Sequence, residues 1–177
     1  MAVAVTAIGH QIESITWNTT DAIQVGIQAL IGQNLGLGNK DRIRDAIKAC
    51  LRLTISIGFI SGLVLLIFRY QLMELFVPND LATIKLGMKY LIIASFSQVF
   101  FSAESGATGI FNGLMDSKTP SIVGLIFNFL KIPLSLILLN ILGVAGIWIS
   151  ISFTSICKGL INLLLLNKRV NRDFDNY

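Results

Sequence analysis

His10, Glu13, Trp17, Asp21, Gln24 and Gln28 recur at three- and four-residue spacing in a stretch long enough to cross a bilayer. At about 100° per residue they fall within a sector of about 80° on one helix face. Ile12, Ile15, Ala22, Ile23, Ala29 and Leu30 lie elsewhere on the same helix. Ionisable groups inside a span are costly unless they face a wet cavity or a partner. A carboxylate there needs a cation, a proton or a hydrogen-bond donor. The row therefore reads as the wall of a transport pathway. Glu13 and Asp21 are the acids of this row, and His10, Trp17, Gln24 and Gln28 are candidate cavity-lining residues.

Similar rows recur further along. Gln98, Ser102, Ser105, Gly109 and Asn112 share one helix face. Small residues there suit close helix packing. Packing does not account for Glu104, which sits about 100° or more from most of that row and whose carboxylate needs a cation, a proton or a donor. Further on, Ser121, Gly124, Asn128, Lys131 and Ser135 align, with Pro133 placed to bend their helix. Trp148, Ser152, Ser155, Lys158 and Asn162 form a last row. Gln98, Asn128, Lys131 and Lys158 join the cavity-lining candidates. Lys131 falls near mid-span, where a pair with Glu104 would relieve both charges. Lys158 lies nearer a helix end, where snorkelling to the interface is an equal alternative.

The chain offers little for covalent catalysis. It has one His, no zinc spacing, no G-x-S-x-G and no phosphate loop. An enzyme and a metal or organic cofactor are not expected. GQNLGLGN is glycine-rich but lacks the Lys-Ser/Thr of a phosphate loop, and it reads as a helix end with a tight turn. The two cysteines suggest neither a disulfide framework nor a metal site.

The elements that must carry these rows are membrane helices. Of 177 residues, 54% are hydrophobic and only 14% charged, with mean hydropathy +0.73. A soluble domain has roughly 25% charged residues. Five spans are expected, at about 3–35, 46–70, 84–113, 121–142 and 144–167. Each approaches or exceeds the ~20 residues needed to cross hydrocarbon. The first has the lowest hydropathy because of its polar row, and lying flat on the surface is its alternative. Gly36, Gly38 and Asn39, then Pro78-Asn79-Asp80, then Pro120, then Gly143 and Gly146 mark the connections. These leave no room for a separate soluble domain, so residues 1–177 form one membrane domain.

The net charge of +4 would suggest nucleic acid in a soluble protein. Here the bilayer is the expected partner, because the cations sit at the ends of apolar runs. Lys40, Arg42, Arg44, Lys48, Arg52, Lys118, Lys168, Arg169 and Arg172 share one side; Arg69, Lys85 and Lys89 share the other. The positive-inside rule makes the richer side cytoplasmic. That places the N-terminus outside and the C-terminus inside, in a multi-pass protein of the plasma (inner) membrane. Five spans starting outside without a signal sequence imply a preceding helix, and Met1 standing almost at a helix start suggests a truncated product.

At this point GHQIESITW followed by ALIGQNLGLGNKDRIRDAIKA resembles the second helix of the C-terminal lobe in the multidrug and toxic-compound extrusion (MATE) family. The resemblance rests there on Gly32, Gln33, Gly36 and Gly38. LMELFVPND is similar to the segment after the family's next helix. ESGATGIFNGLMDSKTPSIVG resembles its G-x-x-x-G-x-G-D-T-x-x-P signature through Gly109, Gly113, Asp116 and Pro120, with Asn112 in place of the usual arginine and Met115-Asp116-Ser117 in place of Gly-Asp-Thr. The resemblance implies a secondary transporter of two six-helix lobes. This chain matches the last five of twelve helices, an incomplete lobe that lacks its N-terminal partner lobe. It implies Na⁺- or H⁺-driven export of drugs or organic cations, and inactivity of this piece alone. The coupling acid that family members often carry in the third of these helices is replaced by Phe101, with Glu104 one turn onward, so the resemblance implies Glu104, Glu13 and Asp21 as the candidate cation-coupling groups. Two other readings stay open: a lipid-linked oligosaccharide flippase of the same superfamily, and a non-transporting subunit that binds partners through small-residue faces.

Overall fold

The computed structural model describes residues 2–174, the side chain of Phe174 aside; Met1 lies outside them. The described residues form six helices and no strand: α1 (Ala2–Gly36), α2 (Lys40–Ile67), α3 (Arg69–Phe76), α4 (Leu81–Gly113), α5 (Lys118–Leu142) and α6 (Val144–Phe174). Among them, α2, α4, α5 and α6 are long and apolar enough to cross a membrane. At 35 residues α1 is about 50 Å long, but its polar row dilutes its hydropathy.

Packing resolves the position of α1. It runs parallel to α4 and keeps step with it: Glu13 meets Gln98, Ser105 meets Thr20 and Gln24, and Gly113 lies against Gln28 and Ile31. A helix that follows a spanning helix along its length lies at the same depth. This makes α1 the fifth span rather than a surface helix.

Several boundaries move relative to the sequence reading. Helix α2 starts at Lys40, not near residue 46, because the Asn39 side chain accepts from the Arg42 amide at 3.0 Å and caps it. The second span stops at Ile67 instead of 70. The expected connection after it contains a short helix, α3, seated through buried Met73. Asp80 caps α4, which therefore begins at Leu81. The last helix continues past 167 because its basic, polar end is still helical.

The GQNLGLGN segment closes as a Schellman turn. The Asn39 amide donates to the Asn34 carbonyl at 3.3 Å and Gly38, at φ +68°, donates to Leu35 at 3.0 Å. The end of α4 repeats the motif with a residue less suited to it. Met115 takes φ +61°, while Asp116 donates to the Phe111 carbonyl at 2.9 Å. The Asp116 carboxylate then accepts from the Thr119 hydroxyl at 2.9 Å and helps start α5, with Pro120 buried in its first turn.

Helix α4 is the central post. It packs against α1, α2 and α6, while α5 rides mainly on α6. Its small residues permit this. A Cβ on Gly109 would stand 2.7 Å from the Gln24 carbonyl of α1. A Cβ on Gly58 of α2 would stand 2.7 Å from the Gln98 carbonyl. Helices in lipid gain their association from such close approach rather than from apolar burial. The outer face of α5 exposes Leu125, Phe129, Ile132 and Ile137, as a lipid-facing surface should.

Two apolar clusters hold the ends of the bundle. One joins Ile31, Ile43, Ile47, Phe111 and Leu166 near the α1–α2 turn. The other joins Val5, Leu65, Met73, Leu91 and Trp148 at the opposite end. Between them lies a polar middle layer, and that layer holds the site.

Candidate functional site: a cavity between α1, α4, α5 and α6

Glu13 is the most enclosed acid of the layer, only 5% exposed. Both of its oxygens are engaged by α4. The Tyr90 hydroxyl donates to Oε1, and the Gln98 amide donates to Oε2 at 2.7 Å. Eight residues separate Tyr90 from Gln98, about two helical turns, so both present the same face to α1. The Tyr90 ring sits edge-on to Trp148, with centroids 5.3 Å apart. The Trp148 indole N–H donates to the Thr6 hydroxyl at 2.9 Å. These bonds tie the start of α6 to α1.

A cavity of about 240 Å³ opens beside this acid. Its wall includes His10, Glu13 and Trp17 from α1 and Tyr90, Gln98 and Phe101 from α4. Trp148, Ser152, Ser155 and Lys158 of α6 complete it with Lys131 of α5. Aromatic contacts run along one side: His10 to Trp17 at 5.4 Å between centroids, and Trp17 to Phe101 at 5.9 Å.

A second charged junction lies between α4 and α6. Lys158 Nζ stands 3.2 Å from Glu104 Oε1. The expected Lys131–Glu104 pair is thus a Lys158–Glu104 pair. The reason is topological: α6 packs closely on α4, whereas α5 touches it only slightly. The pair also displaces the snorkelling alternative for Lys158. Glu104 Oε2 is buried without a hydrogen-bond partner.

The structure separates the sequence candidates into two groups. It gathers His10, Glu13, Trp17, Gln98, Lys131 and Lys158 around one cavity, with Glu104 behind Lys158. It does not bring the others there. Asp21, Gln28 and Asn128 are exposed and outside the lining. Gln24 faces α4, where its side chain accepts from Ser105 at 2.9 Å. The α1 row was drawn for an ideal straight helix, and α4 covers only part of that sector. Tyr90 and Ser97 were missed; their helical register with Gln98 and Phe101 was the signal that would have found them. Gly32, Gly36, Gly38, Gly109, Gly113, Asp116 and Pro120 serve helix ends and close contacts away from the cavity, and Gln33 is exposed. Among the described residues no group of His, Cys, Asp and Glu could hold a metal ion.

Fold and site together define a multi-pass helical membrane protein of the transporter class. The MatE family profile matches residues 1–137. The chain belongs to the MatE family, whose members are transporters and not enzymes. It is 29% identical, over 97% of its length, to a probable multidrug resistance protein NorM of Mesorhizobium japonicum. It is 25% identical over 89% of its length to the Thermotoga maritima protein of the same description. The chain spans 38% and 34% of those two relatives. An inward-facing multidrug resistance MATE transporter of the MOP superfamily superposes on 96% of the chain with TM-score 0.86 and 15% identity. The bent form of Vibrio cholerae MATE transporter VcmN covers 97% with TM-score 0.80 and 20% identity. The chain accounts for 40% of each of those structures.

Proposed function

We propose that this chain forms the C-terminal part of a Na⁺- or H⁺-coupled exporter of small organic compounds, with Glu13 as its coupling acid. The carrying observation is that Glu13 sits in the cavity wall with one oxygen held by Tyr90 and the other by Gln98. Both donors are neutral, so neither cancels the carboxylate's charge. A proton or a bare cation can replace a neutral donor at little structural cost. Glu104 is less suited, because Lys158 already neutralises it. Asp21 is less suited because it is exposed outside the cavity. The NorM descriptions of the relatives support efflux of drugs. A cavity of about 240 Å³ is small for a lipid-linked oligosaccharide.

Alternating access in two-lobe transporters needs both walls of the pathway. On this reading the chain works against an N-terminal lobe and is inactive alone. The cation distribution supports a plasma-membrane orientation with the α1–α2 turn and the end of α6 cytoplasmic. The test uses proteoliposomes with an imposed Na⁺ or proton gradient. Chain 1–177 co-reconstituted with a MatE N-terminal lobe should drive efflux, Glu13→Gln should abolish it, and Asp21→Asn should leave it intact. Efflux by chain 1–177 alone, or full activity of Glu13→Gln, would overturn the reading.

A further inference from the structure

We propose that a groove between α2 and α6 binds one anionic phospholipid, with the headgroup held by Arg44 and Lys48 and an acyl chain laid along Leu51 and Leu163. The site is separate from the central cavity and does not depend on what that cavity carries.

The groove follows from how the helices surround α4. Thr54, Gly58 and Gly62 of α2 meet Gly106, Gln98 and Ser95 of α4 in turn, so the two helices are antiparallel. Ser152 and Lys158 of α6 meet Ile93 and Glu104, so α6 runs parallel to α4. The helices α2 and α6 are therefore antiparallel to each other, and they touch only slightly. The gap left between them measures about 320 Å³. Its floor includes Ile47 and Leu166, which share an apolar cluster with Phe111 of α4.

Register sorts the lining by depth. Arg44, Lys48 and Leu51 descend one wall while Asn171, Asn167 and Leu163 descend the other. Each step is three or four residues, so each row keeps one helix face. Charged and amide groups meet near the α1–α2 turn, and leucines meet one turn deeper. The uninterrupted apolar part of α2 begins at Leu53, and that of α6 ends at Leu166. The polar end of the groove thus stands at the membrane edge and the other end enters hydrocarbon. Exposed Leu53 and Leu164 flank it, as side chains open to lipid should.

This order of polarity is that of a phospholipid. No acid lines the groove. Lys48 is exposed and, among the described residues, makes no hydrogen bond or ion pair. The guanidinium of Arg44 has the planar fork that suits phosphate oxygens. Basic pockets between membrane helices at the bilayer edge recognise anionic headgroups in this way. A free inorganic anion would fill only the polar end and leave the leucines uncovered. A lipid seated here would also tie α2 to α6, a link that the helices themselves barely make.

Native mass spectrometry of detergent-solubilised chain 1–177 tests the proposal, with phosphatidylglycerol and phosphatidylcholine of identical acyl chains as probes. One phosphatidylglycerol should be retained saturably, about tenfold more tightly than phosphatidylcholine, as two cations facing one net negative charge require. The double change Arg44→Gln with Lys48→Gln should remove that preference. Arg42→Gln with Lys118→Gln takes two cations from the same membrane edge outside the groove, and should leave it intact. Leu163→Trp fills the deep end without altering charge and should weaken phosphatidylglycerol binding. Equal retention of the two lipids, an unchanged preference after the Arg44 and Lys48 changes, or equal loss in both double variants would overturn the proposal. Displacement of the lipid by millimolar inorganic phosphate would overturn it too, by making the groove a site for free anions. Where the Arg44 and Lys48 variant fails to fold, Leu163→Trp decides: phosphatidylglycerol binding as tight as in the unaltered chain would place the lipid elsewhere.

Discussion

Glu13 and Glu104 are buried acids in the middle layer of one lobe, and the lobe treats them in opposite ways. At the α1–α4 junction, Glu13 is surrounded by neutral donors. At the α4–α6 junction, Glu104 meets a cation. A carboxylate fixed by neutral donors keeps its charge available to an incoming ion. A carboxylate paired with lysine has its charge already answered. The first arrangement suits exchange and the second suits structure. The difference arises from which helix faces each acid: α1 meets the Tyr90 and Gln98 face of α4, and α6 brings Lys158 to the other.

The comparison breaks most visibly if the cation is removed. Lys158→Ala leaves Glu104 charged, buried and unpaired. A loss of about 3 kcal/mol or more is expected, read as the shift in unfolding of the chain in detergent. Glu104→Gln should also destabilise, because it strands the ammonium instead. Replacing both together, as Glu104→Gln with Lys158→Met, should recover most of the loss. If Lys158→Ala unfolds like the parent chain, the pair is not a structural lock and the contrast with Glu13 fails.

Changes at Glu13 should be smaller and of a different kind. Glu13→Ala orphans the Tyr90 hydroxyl and one Gln98 N–H, at a cost of about 1–3 kcal/mol. Glu13→Gln keeps a carbonyl acceptor for one donor and removes only the charge, so it should unfold close to the parent chain while losing ion coupling. The same charge-to-amide change is thus predicted to be mild at Glu13 and severe at Glu104. Equal destabilisation by Glu13→Gln and Glu104→Gln would remove the distinction.

The sequence made part of this arrangement legible. The α6 row was readable because α6 is one continuous helix that packs on α4, so Trp148, Ser152, Ser155 and Lys158 share the cavity. Periodicity also found Glu13 and Gln98, one on each of two parallel helices. It could not find their bond, which depends on the register between those helices. That register is set by close contacts such as Gly109 against Gln24. Helical angle alone misplaced Asp21, Gln28 and Asn128, because facing inward requires a neighbour at that height as well as a direction. The Glu104 partner was misassigned for the same reason: the choice between Lys131 and Lys158 depends on whether α5 or α6 lies against α4. The short α3 escaped because its helix is anchored by one side chain, Met73, seated at Gly87.

Asp80 supplies a third acid, at the membrane edge, against which the two buried ones can be calibrated. Its carboxylate accepts from the Thr83 hydroxyl at 2.6 Å and from the Thr83 and Ala82 amides at 3.1 Å, capping α4. The Thr83 hydroxyl, then the Thr83 amide, hold its carboxyl below the ordinary 3.8. A group whose folded-state value is lowered contributes stability that is present above its unfolded value and fades as pH falls through the folded one. Asp80→Ala should therefore lower the unfolding temperature at neutral pH, by less than either buried acid. The gap between Asp80→Ala and the parent chain should narrow as the pH is taken below 3.8. Asp80→Asn, which keeps a side-chain oxygen to accept the amides, should retain most of the cap and lose that pH dependence. A gap that stays constant from neutral pH to well below the carboxylate range would show that the cap does not depend on the charge of Asp80. Water at the edge then supports either protonation state, and a strong response to charge belongs only to the acids inside the bundle.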